Sequence, residues 1–159
     1  MSLQPFFEWC QGLAISQAYQ ESTWLFAVTQ ALHLVAVTTF VGAILIGDLR
    51  LLGWGPVGQS RAGIARSAQR ILLWAGLAVL ATGIPQFTSN ALGYPRSPLF
   101  VFKMGLLAAA VIYTATVRRR VAVADEGRLP SWVPPVVGAV SLALWIGVTI
   151  SGRLITFYG

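Results

Sequence analysis

The stretch Trp24–Trp54, WLFAVTQALHLVAVTTFVGAILIGDLRLLGW, contains no charged residue before Asp48. About 20 such residues, rising about 1.5 Å each, suffice for a helix to cross the hydrocarbon core of a bilayer. A tryptophan stands at each end, where an interfacial aromatic is expected, and Asp48 and Arg50 close the run. Inside it lies His33, the sole histidine of the chain. An imidazole in a membrane helix needs a partner, which makes His33 the first candidate for a functional residue.

The composition agrees with this reading. The 159 residues are 56% hydrophobic and 10% charged, against about 25% charged in soluble domains. A net charge of +6 would suit a nucleic-acid binder, but the arginines sit in short segments between apolar runs. That distribution follows the positive-inside rule and argues for the bilayer, and against nucleic acid, as the partner. The single Cys10 excludes an internal disulfide and a CxxC motif. The N-terminus lacks the basic region and cleavage site of a signal peptide, so Met1 is expected to be retained.

Outward from the decisive stretch, residues 3–18 place Phe6, Trp9, Cys10 and Leu13 on one helical face. The segment is too short and polar to span, and predicts an interfacial amphipathic helix. Ser22 is the expected N-cap of the first span, about 24–52, which Gly53, Gly55, Pro56 and Gly58 end. Gln30, His33, Val37 and Phe40 share a face, and Gly42 and Gly47 would allow close helix approach. A basic lead-in from Ser60, with Arg61, Arg66 and Arg70, opens the second span, about 62–84. Gly76 and Gly83 mark its packing face, and Pro85 interrupts it. Ser97-Pro98 starts the third span, about 98–117, which Arg118, Arg119 and Arg120 stop. Pro134-Pro135 opens the fourth, about 134–157, carrying Ser141, Trp145, Thr149 and Arg153. The expected fold is all-α: residues 1–159 form one integral membrane domain, an up-down four-helix bundle.

Arg50, Arg61, Arg66 and Arg70 lie between spans one and two, and Arg118, Arg119, Arg120 and Arg128 between three and four. The intervening connection has Arg96 alone. The count predicts a membrane protein with both termini facing away from the cytoplasm, the triple arginine serving to orient it. His33 then lies about 13 Å below the outer interface and Lys103, the sole lysine, about 7 Å into its helix. Arg153 and Gln86 come near the outer ends of their helices, so a basic layer overlies one imidazole.

A b-type haem suits that arrangement, because imidazole is a standard axial ligand of haem iron. The anionic propionates would favour Lys103 and Arg153, and the porphyrin would pack among Phe26, Phe40, Trp145 and small residues. The iron would be five-coordinate, or take Met104 or water, or be shared across a homo-oligomer. Equally open is a structural reading, with His33 hydrogen-bonded to a neighbouring helix through Gln30, Ser141 or Thr149 and with Lys103 and Arg153 reaching the surface.

ALH, an aromatic seven residues on (Phe40), a glycine nine on (Gly42) and DLRLLG at the helix end resemble bacterial four-helix membrane proteins of the DUF6644 and DUF2214 kind. This resemblance covers nearly the whole chain. More distantly, His33 and the Lys103 of FKMGLLAA are similar to the helix-one histidine and the later lysine of the HemJ-type protoporphyrinogen oxidases, which bind haem. That likeness covers helix one and the start of helix three. It implies haem b at His33 rather than the oxidase activity, since the HemJ-type pattern has Trp where this chain has Phe40. A likeness to CopD copper-resistance domains implies metal transport, yet two Met, one His and one Cys supply few soft ligands. The expected function is electron transfer between haem and quinone or another redox partner. The alternatives are a subunit or assembly factor without cofactor, and a small-solute or metal transporter.

Overall fold

The computed structural model describes residues 4–54, 61–93, 97–125 and 127–158. The helix-breaking Gly55, Pro56 and Gly58, the start at Ser60, and Leu3, Arg96 and Glu126 lie outside them. The described residues are helical, with no strand: α1 Gln4–Gln11, α2 Ala14–Glu21, α3 Thr23–Leu51, α4 Arg61–Ser89, α5 Pro98–Val123 and α6 Val133–Tyr158. From α3 to α6, four helices are long and apolar enough to cross a membrane. The chain is a multi-pass membrane protein built as a helical bundle. Most of the apolar surface of these helices faces outward, as lipid contact requires: Val35, Trp74, Phe102 and Ile112 are all at least 62% exposed.

Cross-helix contacts set the topology. Thr29 meets Gln86, His33 meets Thr82 and Phe40 meets Gly76, so α3 and α4 run antiparallel. Leu106 against Gly147 and Lys103 against Gly152 set α5 antiparallel to α6 in the same way. The helices thus pass up and down. One end of the bundle carries both chain termini, and the other carries the arginine-rich connections.

Local sequence accounts for most helix ends. Ser22 is the N-cap of α3, its hydroxyl accepting from the Leu25 N–H at 3.2 Å. Trp24 and Trp54 are 80% and 70% exposed at the two ends of that span. Ser97 adopts extended backbone before Pro98 but makes no side-chain cap bond, so the proline alone sets that start.

Elsewhere the structure departs from expectation. The N-terminal segment is two helices, not one. The chain breaks between them at Gly12-Leu13, where the Ser16 hydroxyl donates to the Cys10 carbonyl at 2.8 Å. Cys10 is buried, but Phe6 and Trp9 point outward, and Phe7 makes the inward contact, edge-to-face on Phe87 of α4. Pro85 does not end α4, which continues to Ser89. Side chains bond carbonyls around the proline: Gln86 Nε2 donates to Thr82 O at 3.1 Å and Thr88 Oγ1 to Pro85 O at 3.0 Å. Gly42 meets nothing, whereas Gly47, Gly76 and Gly83 do admit neighbouring side chains.

The third span does not stop at its arginines either. It passes through a π-helical turn, Thr114–Arg118, and resumes as α-helix to Val123. Two α-helical turns advance about 7 residues. Buried Ala110 and buried Arg118 are one position further apart than that, and the wide turn absorbs the difference. Val117 is left outside and Arg118 brought inside. Around this point lies the core, formed by Ile44, Ala110, Trp145 and Val148 with Phe40 and Leu106 against them. Leu51, Val121, Ala122 and Val137 form a second cluster nearer the arginine-rich end.

Candidate functional site

In the half of the bundle nearer the termini, α3 presents His33 to α4. Its Nδ1 lies 2.8 Å from the Thr82 hydroxyl, and the ring rests on Gly83, where a Cβ would come 3.0 Å from His33 Cε1. A side chain there would crowd the imidazole, which would have to give by a few tenths of an ångström. Gln86, one turn further along α4, bonds the Thr82 and Thr29 carbonyls. The Thr29 hydroxyl in turn lies 2.7 Å from Tyr19 Oη on α2. A run of polar groups therefore joins the N-terminal helices to the imidazole.

From α5, half-buried Lys103 lies in the same half of the bundle as His33, each about two turns or more toward the termini from the Phe40–Trp145 contact level. Its ammonium approaches α6 at Gly152, where a Cβ would lie 3.4 Å from Nζ. Among the described residues no carboxylate or hydrogen-bond acceptor pairs with that ammonium. A cation inside an apolar span is costly and is ordinarily paired.

The other sequence candidates are distributed differently. Gln30 is half-buried one turn from His33 on α3. Arg153 is exposed next to Gly152, facing about 100° away from it around the helix. Met104 is 43% exposed and points out of the bundle, so it does not offer its sulfur to the interior. Trp145 is a core residue instead of a wall beside His33. It is 4% exposed, stands edge-to-face on Phe40 at 5.2 Å, and donates its indole N–H to Thr114 Oγ1 at 3.0 Å. Ser141 and Thr149 are not the partners of the imidazole: Thr82 is.

A second polar cluster escaped the sequence reading. Arg118, grouped there with Arg119 and Arg120 as a solvated orienting cation, is buried, while its two neighbours are exposed. Its Nε bonds Asp48 Oδ1 at 2.5 Å and its terminal amine donates to the Ile44 carbonyl at 3.0 Å. Gly47 leaves space for the guanidinium against α3, and Gly138 lets α6 close on Asp48. Asp48 Oδ2 and the Ser141 hydroxyl are buried beside this pair. The available signal was Asp48 itself, an acid ending a long apolar run and needing a countercharge.

No group of metal-ligating side chains occurs among the described residues, so an ion held by several protein ligands is not indicated there. This half of the bundle holds one imidazole against Gly83 and one ammonium against Gly152, the ammonium having no partner among the described residues. Such a set can hold a group that brings its own coordination sphere and its own negative charge.

No curated protein and no solved structure matches the chain. The model of a family of unknown function, DUF6644, matches residues 6–158, which include every span and every residue of both polar clusters. The chain belongs to that family.

Proposed function

We propose that this protein is a b-type haem protein of the bacterial inner membrane, in which His33 is an axial ligand and Lys103 holds a propionate. The observation that carries the reading is the Lys103 ammonium, which has no partner among the described residues and lies in the same half of the bundle as the only imidazole. An anionic group would relieve the cost of that cation, and imidazole is a standard ligand of haem iron. The donor set therefore fits haem. Bound haem would supply one-electron redox chemistry, and a quinone or redox protein is the corresponding partner.

The chain's own residues have defined tasks in this reading. Gly83 admits the imidazole edge, Thr82 holds its Nδ1, and Gly152 leaves space for the ammonium. Met104 faces outward, so the ligand the bundle interior would offer to iron is His33. Exposed Arg66, Arg70, Arg119, Arg120 and Arg128 favour placing their end of the bundle in the cytoplasm, so that the site lies toward the periplasm.

The bond between His33 and Thr82 also favours a second reading. It supplies the imidazole with an interhelical partner, as a structural histidine in a cofactor-free subunit or assembly factor would require. An absorption spectrum separates the two. Protein expressed with ample haem and purified in detergent should show a Soret band, lost in His33→Ala and weakened in Lys103→Met. A wild-type protein without that band leaves the structural reading.

A further inference from the structure

Thr82 does more than touch the imidazole, because its one proton has a nearer acceptor within its own helix. The hydroxyl donates to the Ala78 carbonyl at 2.6 Å, with the Val79 carbonyl a more distant acceptor at 3.4 Å. A hydroxyl has one proton to give and lone pairs to receive with. The Ala78 carbonyl is the shorter contact and can only accept, so we assign the hydroxyl proton to it; toward His33 Nδ1, at 2.8 Å, Thr82 then accepts and Nδ1 carries the hydrogen. In a neutral imidazole the other nitrogen, Nε2, is then the lone-pair atom. A histidine side chain free in water prefers the opposite arrangement, with the hydrogen on Nε2.

We infer that Thr82 is a positioning residue that fixes His33 in the Nδ1–H tautomer and makes Nε2 the atom that receives a Lewis acid. Reversing the tautomer would require the hydroxyl to turn its one proton to Nδ1 and give up the 2.6 Å bond to the Ala78 carbonyl. The threonine is itself held in place. Gln86 bonds its carbonyl at 3.1 Å and that of Thr29 at 3.4 Å, and Thr29 is tied to Tyr19 of α2. Gly83 lets the ring lie close to α4, where an added Cβ would crowd its Cε1 edge at 3.0 Å. A ligating histidine whose second nitrogen donates to a fixed acceptor is a stronger donor toward a metal. The inference deepens the haem reading, on which only its second measurement below rests.

The chain holds one histidine, so isotopic labelling of imidazole nitrogen reports His33 alone. Nitrogen NMR of the full chain in lipid nanodiscs, without haem and at alkaline pH, should show Nδ1 protonated and Nε2 with the lone pair. Thr82→Val should shift the ring toward Nε2–H, and Thr82→Ser should restore the wild-type pattern. An Nε2–H signal in the wild type overturns the inference without any variant, and so does an unchanged tautomer in folded Thr82→Val. In haem-loaded protein, Thr82→Val should raise the reduction potential, because a weaker imidazole donor stabilises ferric iron less. If no haem binds while the Nδ1–H tautomer is found, the haem reading fails and the role of Thr82 stands.

Discussion

Replacing Arg118 with alanine should be among the most damaging single changes in this protein. The guanidinium Nε bonds Asp48 at 2.5 Å, and the two side chains are 8% and 0% exposed. Removing it strands the carboxylate between helices and also takes the donor from the Ile44 carbonyl. Breaking a buried pair by deleting one partner costs about 3–5 kcal/mol. At about 1.4 kcal/mol per tenfold, that is roughly two to four orders of magnitude in the folding equilibrium. Solvent screening does little to soften the effect, since the carboxylate is fully buried and the guanidinium nearly so. Arg119→Ala is the internal control: its neighbour is exposed and should stay within about 0.5 kcal/mol of wild type. A combined Asp48→Leu and Arg118→Met replacement removes both charges. It should recover most of the loss, because apolar substitutes for a buried pair are often neutral or stabilising by about 1–4 kcal/mol. Equilibrium unfolding in mixed micelles, followed by tryptophan fluorescence, measures all three. The reasoning is refuted if Arg118→Ala is no worse than Arg119→Ala, or if the double variant is as unstable as the single one.

Gly138→Val should destabilise by about 1–3 kcal/mol in the same assay, since its Cβ would meet the Asp48 carbonyl at 2.9 Å and Leu51 Cβ at 3.0 Å. Gly83→Ala should leave the bundle inserted but displace the imidazole, visible as a changed His33 NMR signal; an unaltered signal would mean that the ring does not lie on α4. Trp145→Phe should cost about 1 kcal/mol through the lost bond to Thr114, and Thr114→Val about as much, with little further loss on combining them. A tag after Tyr158 should be accessible from the periplasm and one in the Asp125–Gly127 loop should not, and the reverse labelling would overturn the orientation drawn from the arginines.

Hydropathy is a local property, so the spans, the Ser22 cap and the exposed terminal tryptophans were legible in the sequence before any tertiary contact was known. His33 was legible as a candidate for the same reason: a lone imidazole in an apolar run is conspicuous without knowledge of its neighbours. Its partner was not. Thr82 lies 49 residues away, and it meets the ring only because the register of two antiparallel helices brings it there. Pro85 read as a helix end because its missing N–H breaks the backbone ladder, while side chains around it, above all Gln86, bond carbonyls that no propensity scale takes into account. Arg118, Arg119 and Arg120 are identical as letters. What separates them is the direction each takes around α5, which a π-turn shifts by one position to bring the first against Asp48 while the other two stay outside. Composition determined that this chain enters a membrane, but only the tertiary structure decided which of its charges are buried there, because burial depends on helix rotation and register and not on residue type.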